Sequence, residues 1–450
     1  MSDEKRLHIN KSPSLFGLLF SRRFAPFFLT QFLGAFNDNM FKSGILLFFT
    51  YYLTLSIGAL SFLNNLAALL FIAPFFLFSP IAGQLADKID KSKLIQAIKL
   101  FEVIVMLNGA LAFFLQNTIY LLVVLFLMGT KSAFFGPVKY SIIPQHLYST
   151  ELVSGNAWVE AGTFIAILFG AISTGLLSYF ESATFWVACS VLLFSILGLI
   201  SSLFILSAPS SNADLKIDFQ FLRQVKETLK ITKSDRLVYA AILCISWFWF
   251  LGASYLTQIL QLTKVSLHAD ESIATFLLIM FSVGVAIGSL LCEKISRHCI
   301  ELGVVPLAGL GMSFFGVHLA LLAQGFQNVD LVISIKTMFD HSALIMIVID
   351  IIVIGMMGGL YIVPLYAWIQ QHTPPDRRAR LIAGNNILNA FFMVLSALFG
   401  IFILSVLHLS LPVFFILLSI ANFVFLGVIF WKEKIFFERA AIFLKSFQHK

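Results

Sequence analysis

Apolar runs of about 20 residues, broken by short polar punctuation, recur along nearly the whole chain. A run of that length, wound as a helix, crosses the ~30 Å hydrocarbon core of a bilayer. The pattern predicts twelve helices. The first six fall at about 25–53, 58–85, 94–115, 118–143, 154–180 and 183–206, and the second six at about 236–261, 272–294, 302–324, 343–370, 382–407 and 411–431. The longest polar interval, 207–235, separates the two sets. In it Phe221, Leu222, Val225 and Leu229 repeat at helical spacing among Arg223, Lys226 and Lys230, which predicts an amphipathic helix on a membrane surface. The basic tail 432–450 reads the same way. The chain thus divides into a polar segment 1–24, a six-helix bundle 25–206, a linker 207–235, a second bundle 236–431 and the tail.

Composition sharpens this into an all-α integral membrane protein. Of 450 residues, 59% are hydrophobic and 12% charged, where a soluble domain is about a quarter charged. Basic residues fix an orientation. With both termini cytoplasmic, only Lys264 and Lys336 fall on the opposite side, and Lys42, Lys99, Lys131 and Lys139 fall within spans. Such asymmetry favours cytoplasmic termini. The net charge of +7 then faces anionic lipid and needs no nucleic acid. Cys189, Cys244, Cys292 and Cys299 are scattered, without CxxC or Cys/His clusters, so no metal, haem or other cofactor is expected. The polar N-terminus and the missing small-residue cleavage site argue against a cleaved signal peptide.

The two halves match each other. Ala82-Gly83-Gln84-Leu85-Ala86-Asp87-Lys88-Ile89 closes the second helix, and Gly288-Ser289-Leu290-Leu291-Cys292-Glu293-Lys294-Ile295 closes the eighth. Pro137 followed by Ser154-Gly155-Asn156-Ala157 has its counterpart in Pro364 followed by Ala383-Gly384-Asn385-Asn386. Repeats offset by six helices are a transporter plan, with a binding site between the halves. The segment Gly83 to Lys93 resembles the loop motif between helices two and three of the major facilitator superfamily, with Asp90 where that motif has glycine. The resemblance implies twelve helices in two pseudo-symmetric bundles. It also implies that Asp87 braces a cytoplasmic gate near the start of helix eleven, where a helix N-terminus favours a carboxylate. Gly83, Lys88 and, by the repeat, Glu293 complete the expected gate.

Three phrases narrow the resemblance: Gln31 to Lys42, Phe126 to Tyr140, and Gly155-Asn156-Ala157-Trp158-Val159-Glu160. They resemble the lysophospholipid transporter branch over about residues 20–430, especially the transporter modules that relatives carry fused to acyltransferases. The branch implies movement of lysophospholipid from the outer to the inner leaflet of a bacterial inner membrane, followed by reacylation. The His-x4-Asp pattern of the acyltransferases is missing: His372 and Asp376 are one residue too close, and His146 is followed at the right distance by Glu151. No catalytic residue is assigned, and reacylation is expected from a separate cytoplasmic acyltransferase. No Gly-x4-Gly-Lys-Ser/Thr loop points to nucleotide hydrolysis.

Ionisable groups are costly in a bilayer and are kept for transport, binding or pairing. On a helical wheel Gln31, Asp38 and Lys42 lie within about 40° of one another. Asp38 and Lys42, spaced i,i+4 with the acid first, suit pairing, and Asn37 and Asn39 flank them. Lys131 and Lys139, on either side of Pro137, are candidates to hold a phosphate. Asn156 and Glu160 share a face of helix five, and Glu160 suits either an internal lysine or the amine of an ethanolamine headgroup. Lys99 and Glu102 read as a structural pair. Asp350 is either a cavity group or a residue near the outer boundary. Trp247-Phe248-Trp249-Phe250, Tyr255 and Gln258 read first as packing. So do the small-residue stripes Gly162/Ala166/Gly170, Gly284/Gly288 and Gly355/Gly359. Besides lysophospholipid transport, three readings stay open: a proton-linked exporter of amphipathic drugs or small metabolites, a membrane-bound lipid acyltransferase, and a scaffold recruiting one.

Overall fold

The computed structural model describes residues 15–53, 57–297, 299–326 and 333–448. A short helix α1 (Leu15–Leu19) leads into α2 (Ala25–Tyr51), α3 (Ile57–Lys88), α4 (Lys91–Phe114), α5 (Thr118–His146), α6 (Leu152–Leu177) and α7 (Ala183–Ser202). The linker carries α8 (Phe221–Thr232). The second six are α9 (Arg236–Gln261), α10 (Glu271–Ile295), α11 (Val304–Gln324), α12 (Ser342–His372), α13 (Arg378–Gly400) and α14 (Leu411–Lys432), and α15 (Ile435–Gln448) forms the tail. Among the described residues, the one extended pairing is an isolated bridge between Ala269 and Ile333.

Eleven helices among the described residues are long and apolar enough to cross a membrane. α2, with 27 residues, is long enough but not among the eleven; it carries Gln31, Asn37, Asp38, Asn39 and Lys42. It packs along α6 and α7, so its polar groups are turned into protein instead of lipid. Side-chain caps start several helices. The Asp90 carboxylate accepts from the N–H groups of Ser92 (2.9 Å) and Lys93 (3.2 Å), and Asp235 accepts from Val238 N–H (2.9 Å). Asp90 is thus the N-cap of α4, a role an acid fills as well as any residue. This explains the departure from the glycine of the resembled motif.

α2 to α7 pack as one group and α9 to α14 as another, and the groups meet mainly along α3–α13 and α6–α10. The small-residue stripes sit where helices touch. A Cβ on Gly288 would lie 2.0 Å from the Met356 carbonyl oxygen, and one on Gly355 would lie 2.4 Å from that of Phe281. The loops after α3, α5, α10 and α12, together with the linker, share one end of the bundle, called here the linker face.

Two surface helices depart from expectation. The Phe221 and Leu222 side chains lie outside the described residues. The rest of α8 buries Gln224, Thr228 and Thr232 against α3 and α13. Its polar stripe at i, i+4, i+8 faces protein, because the threonine methyls fit beside Gly384 and Gln84 offers Gln224 an amide partner. α15 docks on α11, with Phe436 fully buried and Arg439 bound to Glu301 at 2.6 Å.

Candidate functional site

The polar residues of α2 do not act as a local pair. Asp38 bonds to the Lys131 ammonium (2.6 Å) and the Ser132 hydroxyl (2.8 Å), both on α5. The expected Asp38–Lys42 pairing is corrected accordingly. The Lys42 ammonium instead stands over the Phe71 ring of α3, 4.5 Å from its centroid. The partner across the bundle outcompetes the one a turn away because Lys131 also reaches Glu102, at 3.4 Å. Glu102 in turn takes Lys99 at 2.6 Å and the Asn37 amide at 3.2 Å. Lys99 lies in a slot where a Cβ on Gly34 or Gly198 would come within 2.9 Å of its ammonium. The expected structural pair Lys99–Glu102 is therefore one segment of a chain of charges through the core of the first bundle. Asn39 turns back to the Ala35 carbonyl at 2.8 Å.

A second polar group lies on the seam between the halves. Lys139 donates to the Thr163 hydroxyl (3.2 Å) and stands 4.8 Å over the Tyr140 ring. Thr163 donates to Gln31 Oε1 (3.2 Å). Glu160 accepts from the Tyr140 hydroxyl at 2.6 Å. The Tyr140 ring stacks on Tyr366 of α12, centroids 4.1 Å apart at 6°, and Tyr366 has Trp249 and Asn385 as side-chain neighbours. The buried atoms here without a hydrogen-bond partner include Gln31 Nε2 and Glu160 Oε2. Such groups are costly when left dry and are usually satisfied by water, an ion or a ligand.

Toward the linker face the halves are bonded together. Asp87 accepts from Ala379 N–H at 3.1 Å and pairs with the Arg380 guanidinium at 3.1 Å, at the first turn of α13. Gly83 allows this approach, since a Cβ there would lie 2.8 Å from Ala383 Cβ and 2.9 Å from Arg380 Cα. Ser154 donates to Glu293 at 2.8 Å. The Asn156 and Gln370 amides exchange bonds at 2.7 and 3.0 Å. Asn156 and Glu293 thus sit among contacts between halves. Lys88 is half-buried and makes no ion pair among the described residues. Asp350 is buried and meets His318 of α11 at 2.8 Å.

Several participants escaped sequence reasoning: Ser132, Thr163, Tyr366, Gln370 and Arg380. The internal repeat held a signal for one of them, since Tyr140 and Tyr366 each follow their helix proline closely. Gln370 offered none, because its partner is 214 residues away.

Two six-helix halves with a polar seam and bonded ends define a membrane transporter. The chain belongs to the Major Facilitator Superfamily, whose model matches residues 27–335. It is similar to the lysophospholipid transporter LplT of Serratia proteamaculans (strain 568), 25% identical over 363 residues, which are 78% of this chain and 81% of that one. It is equally similar, at 25% over 416 residues, to LplT of Cronobacter sakazakii (strain ATCC BAA-894), covering 90% and 93% of the two chains. Among solved structures, the human organic anion transporter MFSD10 (TETRAN) superposes with a TM-score of 0.70 at 11% identity, over 91% of this chain and 99% of the other. That likeness is one of fold.

Proposed function

We propose that this protein moves lysophospholipids from the outer to the inner leaflet of a bacterial inner membrane by rocking its halves, for reacylation by a separate cytoplasmic acyltransferase. The observation that carries the reading is the seam group. An ammonium (Lys139), a carboxylate with one free oxygen (Glu160) and an amide with a free N–H (Gln31) converge in a buried place between the halves. A headgroup holding a phosphodiester and an amine complements all three: the phosphate accepts from Lys139 and Gln31, and the amine donates to Glu160. The acyl chain stays in apolar surroundings, so no charged phosphate crosses hydrocarbon unaccompanied. The similarity to chains named as lysophospholipid transporters supports the same cargo.

In this reading the termini and the linker face are cytoplasmic, and Gly83, Asp87, Lys88 and Glu293 belong to the gate on that side. Asp38 and Lys131 with Glu102 hold the first bundle together as it moves, while Lys42 and Asn39 stand at the edge of that network. The test is flipping of labelled lysophosphatidylethanolamine by the purified protein in liposomes. Movement above protein-free vesicles is expected, with a strong loss in Glu160→Gln and Lys139→Met. No movement would sink the proposal, and flux that follows an imposed pH gradient while ignoring lysolipid would favour the exporter.

A further inference from the structure

The linker is fastened at both ends, to different halves. Its first part is tied to the first bundle. The Ser207 hydroxyl donates to Asp90 (2.7 Å), Lys91 donates from its backbone to the Ala208 carbonyl (2.8 Å) and from its ammonium to the Ser211 hydroxyl (2.8 Å). The N–H groups of Ser211 and Asn212 both donate to the Asp87 carbonyl at 2.9 Å. Its last part goes with the second bundle. Only 233–235 separate α8 from α9. The Thr228 and Thr232 methyls also press on α13, where a Cβ on Gly384 would come within 3.3 and 2.3 Å of them. Between these ends Gln84 of α3 reaches across. Its amide donates to Gln224 Oε1 (2.8 Å), and its carbonyl oxygen accepts from Asp218 N–H (2.9 Å).

When α3 and α13 part, the two fastened ends are carried apart. Residues 213–217 have no helix and can extend by up to ~3.3–3.6 Å per residue. The contact that has to give way is the one at Gln84. Its bonds are between neutral groups and exchange for water at small net cost, unlike the Asp87–Arg380 ion pair beside it.

We propose that Gln84 is the catch of a strap formed by residues 207–232: its bonds to Asp218 and Gln224 hold the linker face shut and release before α3 and α13 separate. The inference rests on transport by rocking halves. One test places cysteines at Gln84 and Gln224 in a chain whose exposed Cys189 and Cys299 are changed to serine, and joins them with a short reducible bis-thiol reagent. Cross-linking is expected to reduce lysophosphatidylethanolamine flipping to the level of protein-free vesicles, with recovery on reduction. A control pair, Ser92→Cys with Ser207→Cys, both on the first bundle, is expected to cross-link without loss. A second, lipid-free measurement uses spin labels at exposed Lys93→Cys and Lys294→Cys, where Gln84→Ala is expected to shift the distance distribution to longer values. Full transport by the cross-linked Gln84/Gln224 pair, or an unchanged distribution in Gln84→Ala, overturns the strap. If the uncross-linked protein flips no lipid, the transport reading fails instead, and the spin-label distances alone decide the strap.

Discussion

Lys42 ends on a ring where its neighbours end on carboxylates. In that network Asp38 and Glu102 face Lys42, Lys99 and Lys131, so the group carries an ammonium in excess. Removing different lysines should therefore have different effects. Lys131→Met takes the ion-pair partner from the buried Asp38 and leaves Glu102 with Lys99 alone, and breaking a buried pair costs about 3–5 kcal/mol, so a large fall in melting temperature in detergent is expected. Lys42→Met removes the unmatched charge and a cation–π contact of about 0.5–1 kcal/mol or somewhat more. Its melting temperature should stay near wild type. Equal thermal losses in both variants would assign Lys42 to the scaffold. Asp90, outside the spans, gives a pH signature. Burial pushes its carboxyl up, but the Ser92 and Ser207 hydroxyls and the Lys93 and Ser92 N–H groups together bring it down to about 2. An unfolded aspartate titrates near ~3.9, so the stability this cap adds is present above that value and is lost as pH falls through about 2. Asp90→Asn should be less stable than wild type at neutral pH, with the gap closing between about pH 4 and 2. A gap independent of pH in urea unfolding would refute the assignment.

Between helices the contacts of α10 and α12 are the closest, backbone against backbone. Gly288→Ala would put a methyl 2.0 Å from the Met356 carbonyl oxygen, and overpacking of this kind costs about 1–3 kcal/mol. Gly252→Ala in α9 meets nothing within 4 Å and gains up to about 1 kcal/mol of helix propensity. Thermal unfolding of the two variants should move in opposite directions; a Gly288→Ala protein as stable as wild type would show that α10 and α12 can slide apart freely. The same helices mark what can be read from sequence. A run of ~20 apolar residues has few alternatives to a span, and a glycine stripe in it has few alternatives to a contact. α8 is different, because Gln224, Thr228 and Thr232 have the chemistry of a solvent face. Only the presence of Gln84 and Gly384 beside them makes that face an interior one. Asp38 illustrates the same limit. Its partner four residues on was visible, and the one 93 residues away that won was not.

Across the whole molecule, the bonds between halves gather toward the linker face: Asp87 to α13, Ser154 to Glu293, Asn156 to Gln370, and the Tyr140–Tyr366 stack. A transporter closed this way at one end must exchange these bonds for others in its alternate state, so their summed free energy has to stay small enough for a few kcal/mol of differential binding to reverse it. Asp87 is the member whose carboxylate pairs with a guanidinium of the other half. Its carboxylate meets first-turn N–H groups of α13, donors that have no partner within their own helix, and the positive end of the α13 dipole. Asp87→Asn keeps the shape and removes the charge. A loss of about 1–2 kcal/mol changes a two-state ratio by roughly 5–30-fold, enough to favour separation of α3 from α13. Hydrogen exchange reads this locally. The amides of residues 379–383 should exchange faster in Asp87→Asn, and the end of α3 with them. The α10–α12 contact, internal to one half, should keep its protection. Unchanged exchange at 379–383 would mean that the ion pair does not hold α3 to α13 and that the other contacts between the halves do. A uniform rise through α10 and α12 would mean general destabilisation instead of opening.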